Sequence, residues 1–422
     1  MTSPPLTWVS VASHPGARAV VVTVAYLAAA AAVLLTVIVL RGLVPAALLD
    51  RFLGFVLIAS LAAGLEPGTV KASALGEAGG QATVSPAHLA AGAVKALAAS
   101  PVLALLWRFA DPAVPGSALV WTPILAVAGF CATDLRAGLD LRGRYAMAIT
   151  VKQGSLAGGF VLAGGLIACG APLSSAIGVS CLARLTVLGV TVNPVWSGDR
   201  REPRRGPSLG TGVLRLLGDR RWIDLAGVSV IAAASGGADR LFGLRYLTPV
   251  SYAGYYLTYE LFSRFWLAPY LLSPILFARR ALGADDDGFA RAAWGLTGLA
   301  GGAYLIVTAA LVVLAPGLLH EVVGLSFGPA TLAFAAAVVL NSFSQLRVAE
   351  LQGAGRSRRA AVAIALGAAV SIPLFFLAAR GFGGRGLLLA WLAKSALELA
   401  VLTFDVRFVP QKRGDGAATP GR

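Results

Sequence analysis

Apolar runs of about twenty residues or more recur along this chain, and several carry charged side chains in their interior. That combination limits the fold sharply. A hydrocarbon core of ~30 Å takes about 20 helical residues to cross. A helix satisfies its own backbone hydrogen bonds in lipid, which an open strand or loop cannot do. The runs lie at about 19–40, 46–66, 87–108, 115–135, 149–170, 172–192, 222–243, 248–277, 291–315, 328–348, 359–380 and 384–405. Only 13% of residues are charged, against about 25% in soluble domains. A soluble globular fold is excluded. The expectation is an all-α polytopic integral membrane protein with ~12 transmembrane helices.

The stretch 196–221 (WSGDRREPRRGPSLGTGVLRLLGDRR) has the Arg, Gly and Pro content of a linker and divides the runs six and six. The expected organisation is an N-terminal six-helix bundle over 1–195, a basic cytoplasmic linker over 196–221, a C-terminal six-helix bundle over 222–406 and a tail over 407–422. An offset of 207 residues places LEPGTVKASALG at Leu65 over LSPILFARRALG at Leu272 and brings the spans of the two halves into the same order. Six spans per repeat make the repeats parallel. Two pseudo-symmetric bundles of this kind hold their substrate in a central cavity between them.

Arginines set the orientation. Arg136, Arg142 and Arg144, the seven arginines of the linker, Arg279 and Arg280, and Arg356, Arg358 and Arg359 fall on one side; Arg41, Arg108, Arg245, Arg380 and Arg385 fall on the other, mostly singly. The positive-inside bias puts both termini in the cytoplasm, for a multi-pass protein of the cell (plasma or inner) membrane. The net charge of +15 therefore reflects topology, and no nucleic-acid partner is expected. The first run is read as a retained span, 71–86 as a loop, and 135–148 (LRAGLDLRGRYAMA) as a short amphipathic helix at the interface.

A charge at the bilayer centre costs ~2.5–3.5 kcal/mol on insertion scales, so such residues face protein or a wet cavity. The substrate-binding candidates are Lys95, Arg184, Arg240, Glu260, Arg264 and Lys394, with Asp50, Asp239 and Glu398 as coupling candidates. Glu260 and Arg264 are four apart, as are Lys394 and Glu398, so each pair shares a helix face and either neutralises itself or lines a cavity. Lys95 and Arg184 have no such partner. Arg51, Lys152 and Arg184 have snorkelling to the interface as the plainer reading. His14, His88 and His320 are scattered, Cys131, Cys169 and Cys181 lie in apolar runs, and Asp285-Asp286-Asp287 sits in a charged turn. No catalytic residue, metal site or cofactor is expected.

In the C-half, Ala238-Asp239-Arg240-Leu241-Phe242-Gly243, Gly254-Tyr255-Tyr256, Pro274-Ile275-Leu276-Phe277-Ala278-Arg279, Ser326-Phe327-Gly328-Pro329, Gly353-Ala354-Gly355-Arg356 and Gly381-Phe382-Gly383 follow one another in order. This set resembles the polysaccharide (O-antigen type) flippase branch of the multidrug/oligosaccharidyl-lipid/polysaccharide exporter superfamily. The resemblance implies a transporter, not an enzyme. Its substrate would be a polyprenyl-pyrophosphate-linked oligosaccharide, turned from the inner to the outer leaflet by alternating access. Its partners would be that lipid-linked oligosaccharide, membrane lipid, and polysaccharide polymerase or assembly enzymes. Rival readings are a drug/cation antiporter of the same fold, a membrane glycosyltransferase or polysaccharide ligase, and a non-transporting scaffold.

Overall fold

The computed structural model describes residues 15–65, 68–76, 85–142, 144–197, 209–219, 221–281, 287–314, 317 and 328–403. Among them all regular structure is helical. The N-half contains α1 (Pro15–Leu43), α2 (Ala46–Gly64), the short α3 (Thr69–Gly76), α4 (Pro86–Ala110), α5 (Thr122–Leu141), α6 and α7 (Leu173–Ser197). Helix α6 runs through Tyr145–Ile149, a π-helical turn at Thr150–Gly154, and Ser155–Ala168. The linker holds α8 (Leu209–Gly218). The C-half contains α9 (Arg221–Tyr246), α10 (Pro249–Phe262), α11 (Leu267–Ala281), α12 (Asp287–Leu314), α13 (Pro329–Gly353), α14 (Ser357–Gly381) and α15 (Gly383–Thr403).

Ten of these helices are long and apolar enough to cross a membrane, and the pair α10–α11 makes an eleventh. Helix α9 has a span's length, 26 residues, but its charged residues, Asp239, Arg240 and Arg245 among them, keep it below that apolarity. This accounts for the difference from the twelve expected. Protein covers α9 instead: it packs along α14 and touches α2 and α4.

Three local readings change. The stretch 71–86 is helical over its first part, as α3, and residues 77–84 lie outside the described residues. Leu135–Leu141 continue α5 and do not form an interfacial helix, because Arg136 and Asp140, four apart, neutralise each other at 3.3 Å. The run 248–277 is bent by 43°, with a 3₁₀ turn at Ser263–Trp266. Pro269 explains the break: it has no N–H for the carbonyl of Phe265, and its ring crowds that carbonyl. The arginines of the linker before Leu209 and the tail after 403 lie outside the described residues.

Both halves use one packing scheme. The first span lies on the fifth (α1 on α6; α9 on α14) and the second on the fourth (α2 on α5; α11 on α13). The third also lies on the fourth (α4 on α5; α12 on α13), and the sixth touches the fourth and fifth (α7 on α5 and α6; α15 on α13 and α14). The C-terminal ends of α2, α5, α11, α13 and α15 gather at the face that also carries α3 and α8, the linker face.

Small residues let the helices approach closely. A Cβ on Gly129 of α5 would stand 2.7 Å from the backbone carbonyl of Ala62 on α2. Thr133, one turn on, donates to the Ala63 carbonyl at 3.0 Å across the same contact. Gly129→Ala is therefore expected to destabilise the protein by about 1–3 kcal/mol through overpacking. Gly158→Ala, which meets nothing within 4 Å, should melt as the parent does. Thermal melting in detergent, followed by tryptophan fluorescence, checks both.

Candidate functional site

A cavity of about 460 Å³ lies between the halves. Its lining comes from the linker-side portions of α2, α5, α9, α11, α13, α14 and α15, with α3 and the π-turn of α6. Five basic side chains line it: Lys71, Arg136, Lys152, Arg240 and Lys394. Two acidic ones, Asp140 and Glu398, face them. Helix α13 contributes Asn341, Ser344, Gln345 and Gln352, a row of donors and acceptors of a kind that hydroxyl-rich ligands use.

Buried charges in the C-half are anchored by partners on several helices. On α15, Lys394 Nζ is 2.7 Å from Glu398 Oε2, and the two residues are only 4% and 5% exposed. Glu398 Oε1 accepts from Ser235 Oγ of α9 at 3.3 Å, and Ser235 meets Ser371 of α14 at 3.0 Å. Gly367 on α14 leaves the room: a Cβ there would stand 2.6 Å from Glu398 Cγ. Asp239 on α9 is fully buried. Its Oδ2 accepts from Trp391 Nε1 of α15 at 2.9 Å and from the hydroxyl of Tyr255 on α10. Arg240 is held beside it, with Nε 3.8 Å from Asp239 Oδ1, Nη2 donating to the Gly236 carbonyl at 3.0 Å, and the guanidinium 4.7 Å from the Tyr259 ring centroid.

A second cavity of about 170 Å³ lies between α1, α6 and α10. Glu260 and Arg264, ion-paired across the α10 break, line it with Gln153 and Tyr256. Ser60, Arg240, Tyr259 and Trp266 line both cavities, so Arg240 stands at their junction. Away from the linker face the core closes over with packed side chains. Trp391 meets Tyr259, Trp266, Phe334 and Phe375 at ring-centroid distances of 5.6–6.0 Å.

The candidates chosen from sequence are thus divided. Arg240, Lys394 and Glu398 line the large cavity, and Arg240, Glu260 and Arg264 the small one. Asp239 lies behind Arg240. Lys95 is outside both linings: its Nζ sits 3.8 Å from the Trp222 ring centroid and pins α4 to the start of α9. Arg184 is 1% exposed on α7, against Gly159 of α6, and its Nε and Nη1 find no hydrogen-bond partner among the described residues. Asp50 lies at the opposite end from the linker face. Sequence reasoning missed Lys71, Arg136, Asp140 and the α13 amides as lining residues. The polar run Asn341-Ser342-Phe343-Ser344-Gln345 in mid-span was the available signal.

His88 forms a pair with Ser73, Nε2 to Oγ 2.9 Å, that has the look of a nucleophile and its base. The tautomer argues against that. His88 Nδ1 accepts from the Ser85 backbone N–H at 3.2 Å, so in the neutral ring the proton is on Nε2 and Ser73 Oγ accepts it. The pair caps α4 and ties α3 to it.

No protein-family model matches the sequence, and none of the curated proteins matches it. Solved structures do match in fold. The eukaryotic MATE transporter AtDTX14 superposes with a TM-score of 0.63 at 18% identity, covering 93% of this chain and 94% of that one. The lipid II flippase MurJ, in an inward closed conformation, gives 0.62 at 11% identity, over 93% and 88%. An outward-facing MATE family transporter of the MOP superfamily gives 0.57 at 13% identity, over 94% and 97%. The chain has the fold of these membrane transporters.

The Lys394–Glu398 pair yields a direct test. Removing one partner leaves the other charge buried and uncompensated, at a cost of about 3–5 kcal/mol. Lys394→Met and Glu398→Gln should each lower the melting temperature clearly. The double variant should lose much less than the sum of the two, as a double-mutant cycle by thermal melting would read.

Proposed function

We propose that this protein flips a lipid-linked anionic oligosaccharide across the membrane. The reading rests on one observation: a cavity between the halves holds five basic side chains against two acidic ones, beside a row of amides and hydroxyls. A diphosphate carries negative charge that several cations neutralise in a low-dielectric site, and charge-assisted hydrogen bonds to it are about twice as strong as neutral ones. Sugar hydroxyls suit Asn341, Gln345 and Gln352. The finer form is the polyprenyl-pyrophosphate-linked precursor of a cell-surface polysaccharide. The arginine distribution favours a cytoplasmic linker face; with that orientation the cavity would load from the inner leaflet and release outside by rocking of the two bundles.

Drug/cation antiport is the second reading. The buried carboxylates Asp239 and Glu398 favour it, since a cation exchanger needs acids that change partners. Both acids already have basic neighbours and hydrogen-bond donors. Neither offers a free negative site to an organic cation, whereas the net charge of the lining repels one.

Reconstituted proteoliposomes separate the readings. A fluorescent polyprenyl-pyrophosphate oligosaccharide should change leaflet, and the rate should fall by tenfold or more, about 1.4 kcal/mol or more in barrier, in Arg136→Gln and Lys152→Gln. Lys95→Gln, outside the lining, should affect the rate less than either. Proton-driven efflux of organic cations with no lipid movement would select the antiporter.

A further inference from the structure

Helix α3 belongs to the N-half by its place in the chain, yet it bears on the C-half at two points. The chain enters it through Gly68, whose φ of +68° lies in the left-handed region. A Cβ there would stand 3.0 Å from Leu225 Cβ and 3.1 Å from the Trp222 carbonyl oxygen, so residue 68 lies directly on the first turns of α9. Three residues on, Lys71 Nζ lies 4.9 Å from the ring centroid of Phe277 on α11. That part of α11 is fixed within the C-half: a Cβ on Gly353 of α13 would stand 2.8 Å from the Phe277 carbonyl oxygen. Two further contacts tie α3 to the N-half. Val70, 1% exposed, packs in one buried cluster with Ala128, Ala132 and Leu135 of α5, and Ser73 meets His88 of α4. Helix α3 is therefore a latch between the halves at the linker face.

Lys71 and Phe277 both line the large cavity. In the same lining, the ion pairs of Arg136, Arg240 and Lys394 each stay within one helix. The contact of Lys71 with Phe277 crosses from one half to the other, so a ligand that draws the ammonium away also loosens the halves from each other. A ring face attracts an ammonium through its quadrupole. A phosphate oxygen brings full charge and accepts the N–H directly, in the stronger, charge-assisted kind of hydrogen bond. A neutral or cationic headgroup offers neither. Lysine suits the exchange, because its ammonium swings on a flexible four-carbon stem and carries three donors. A ligand shifts an equilibrium only through its differential affinity for the two states, and here that difference lies in one named contact.

We propose that Lys71 is a specificity-determining residue: set on Phe277 it holds α3 across the linker-side end of the cavity, and an anionic diphosphate headgroup takes it over and releases the latch. This rests on the reading of the cavity as a diphosphate site. Entry then depends on the charge of the headgroup before any sugar is read. Once the diphosphate has left, Lys71 returns to the ring and shuts the empty cavity at the linker face.

Full-length protein in phosphatidylcholine nanodiscs, with inorganic pyrophosphate as the probe, tests it. Calorimetry reads binding, and hydrogen exchange reads the latch. Pyrophosphate should raise exchange severalfold at Thr69–Gly76 and Leu225–Val228, where a bound ligand ordinarily protects; sodium chloride of equal ionic strength should not. Lys71→Gln should start at the raised level and show no further response, while Lys71→Arg keeps the response. Phe277→Leu should also start raised, and it should bind pyrophosphate about two- to tenfold tighter, since no cation–π contact is given up on binding. Pyrophosphate that binds, and binds more weakly to Arg136→Gln, without raising exchange at α3 would overturn the latch and leave the cavity reading standing. No binding at all would overturn both. A rise matched by chloride, a response that persists in Lys71→Gln, or unchanged or weaker binding to folded Phe277→Leu would overturn the latch alone. Should Phe277→Leu fail to fold, the contrast between Lys71→Gln and Lys71→Arg decides.

Discussion

An ionised side chain away from water needs a partner or a wet surface, and most of this architecture follows from that demand. Asp239 shows its extreme form. No solvent reaches the carboxylate, so the protein supplies the surroundings: an indole N–H from α15, a phenol from α10 and a guanidinium from its own helix. The two hydrogen bonds and the neighbouring guanidinium come from three different spans, and surrounding one charge thereby fixes the relative position of three helices. The Lys394–Glu398 pair does the same for α15, α9 and α14 through Ser235 and Ser371. Such groups cost desolvation energy and are weak evidence of stability. Their effect is geometric: the inner helices of the C-half have few alternative ways to pack.

Close approach at small residues supplies the other part of the packing. Gly129 lies almost on the backbone of α2, Gly164 admits Thr36, and in the C-half Gly353 of α13 would put a Cβ 2.8 Å from the Phe277 carbonyl of α11. Contacts of this kind need no charge and depend on small residues facing other helices. The cavity draws on both halves. Basic groups from the N-half, on α3, α5 and the π-turn of α6, face amides and a charge pair from the C-half. π-turns recur at functional sites because the extra residue re-aims side chains, and here Lys152 lies within one.

The long spans were legible because apolarity, length and arginine placement all speak to one physical question, what lipid will accept. The spans before and after the linker pack on one another in the same order. The site was legible in part. Glu260 with Arg264 and Lys394 with Glu398 announced themselves by helical spacing, and both pairs form. Arg136 and Asp140 have the same spacing, yet their neighbours look too polar for a span; only the cavity at the end of α5 makes them acceptable there. Lys95 failed in the other direction. Depth in a span says that a charge needs company, and it does not say that the company is substrate. The partner was Trp222, more than a hundred residues away across the linker.

The excess of basic over acidic groups in the cavity also bears on voltage. A carrier whose empty site is net positive moves charge when it reorients, and each elementary charge crossing the full field exchanges about 2.3 kcal/mol with it per 100 mV. The negative side of a membrane would therefore hold the vacant cavity toward itself. A bound diphosphate would cancel much of that charge and free the loaded form from the field. On the proposed reading, loading at the negative face and release at the positive one would then be favoured by the resting potential acting on the net positive charge of the lining, the excess of its basic over its acidic side chains, which the cargo switches off.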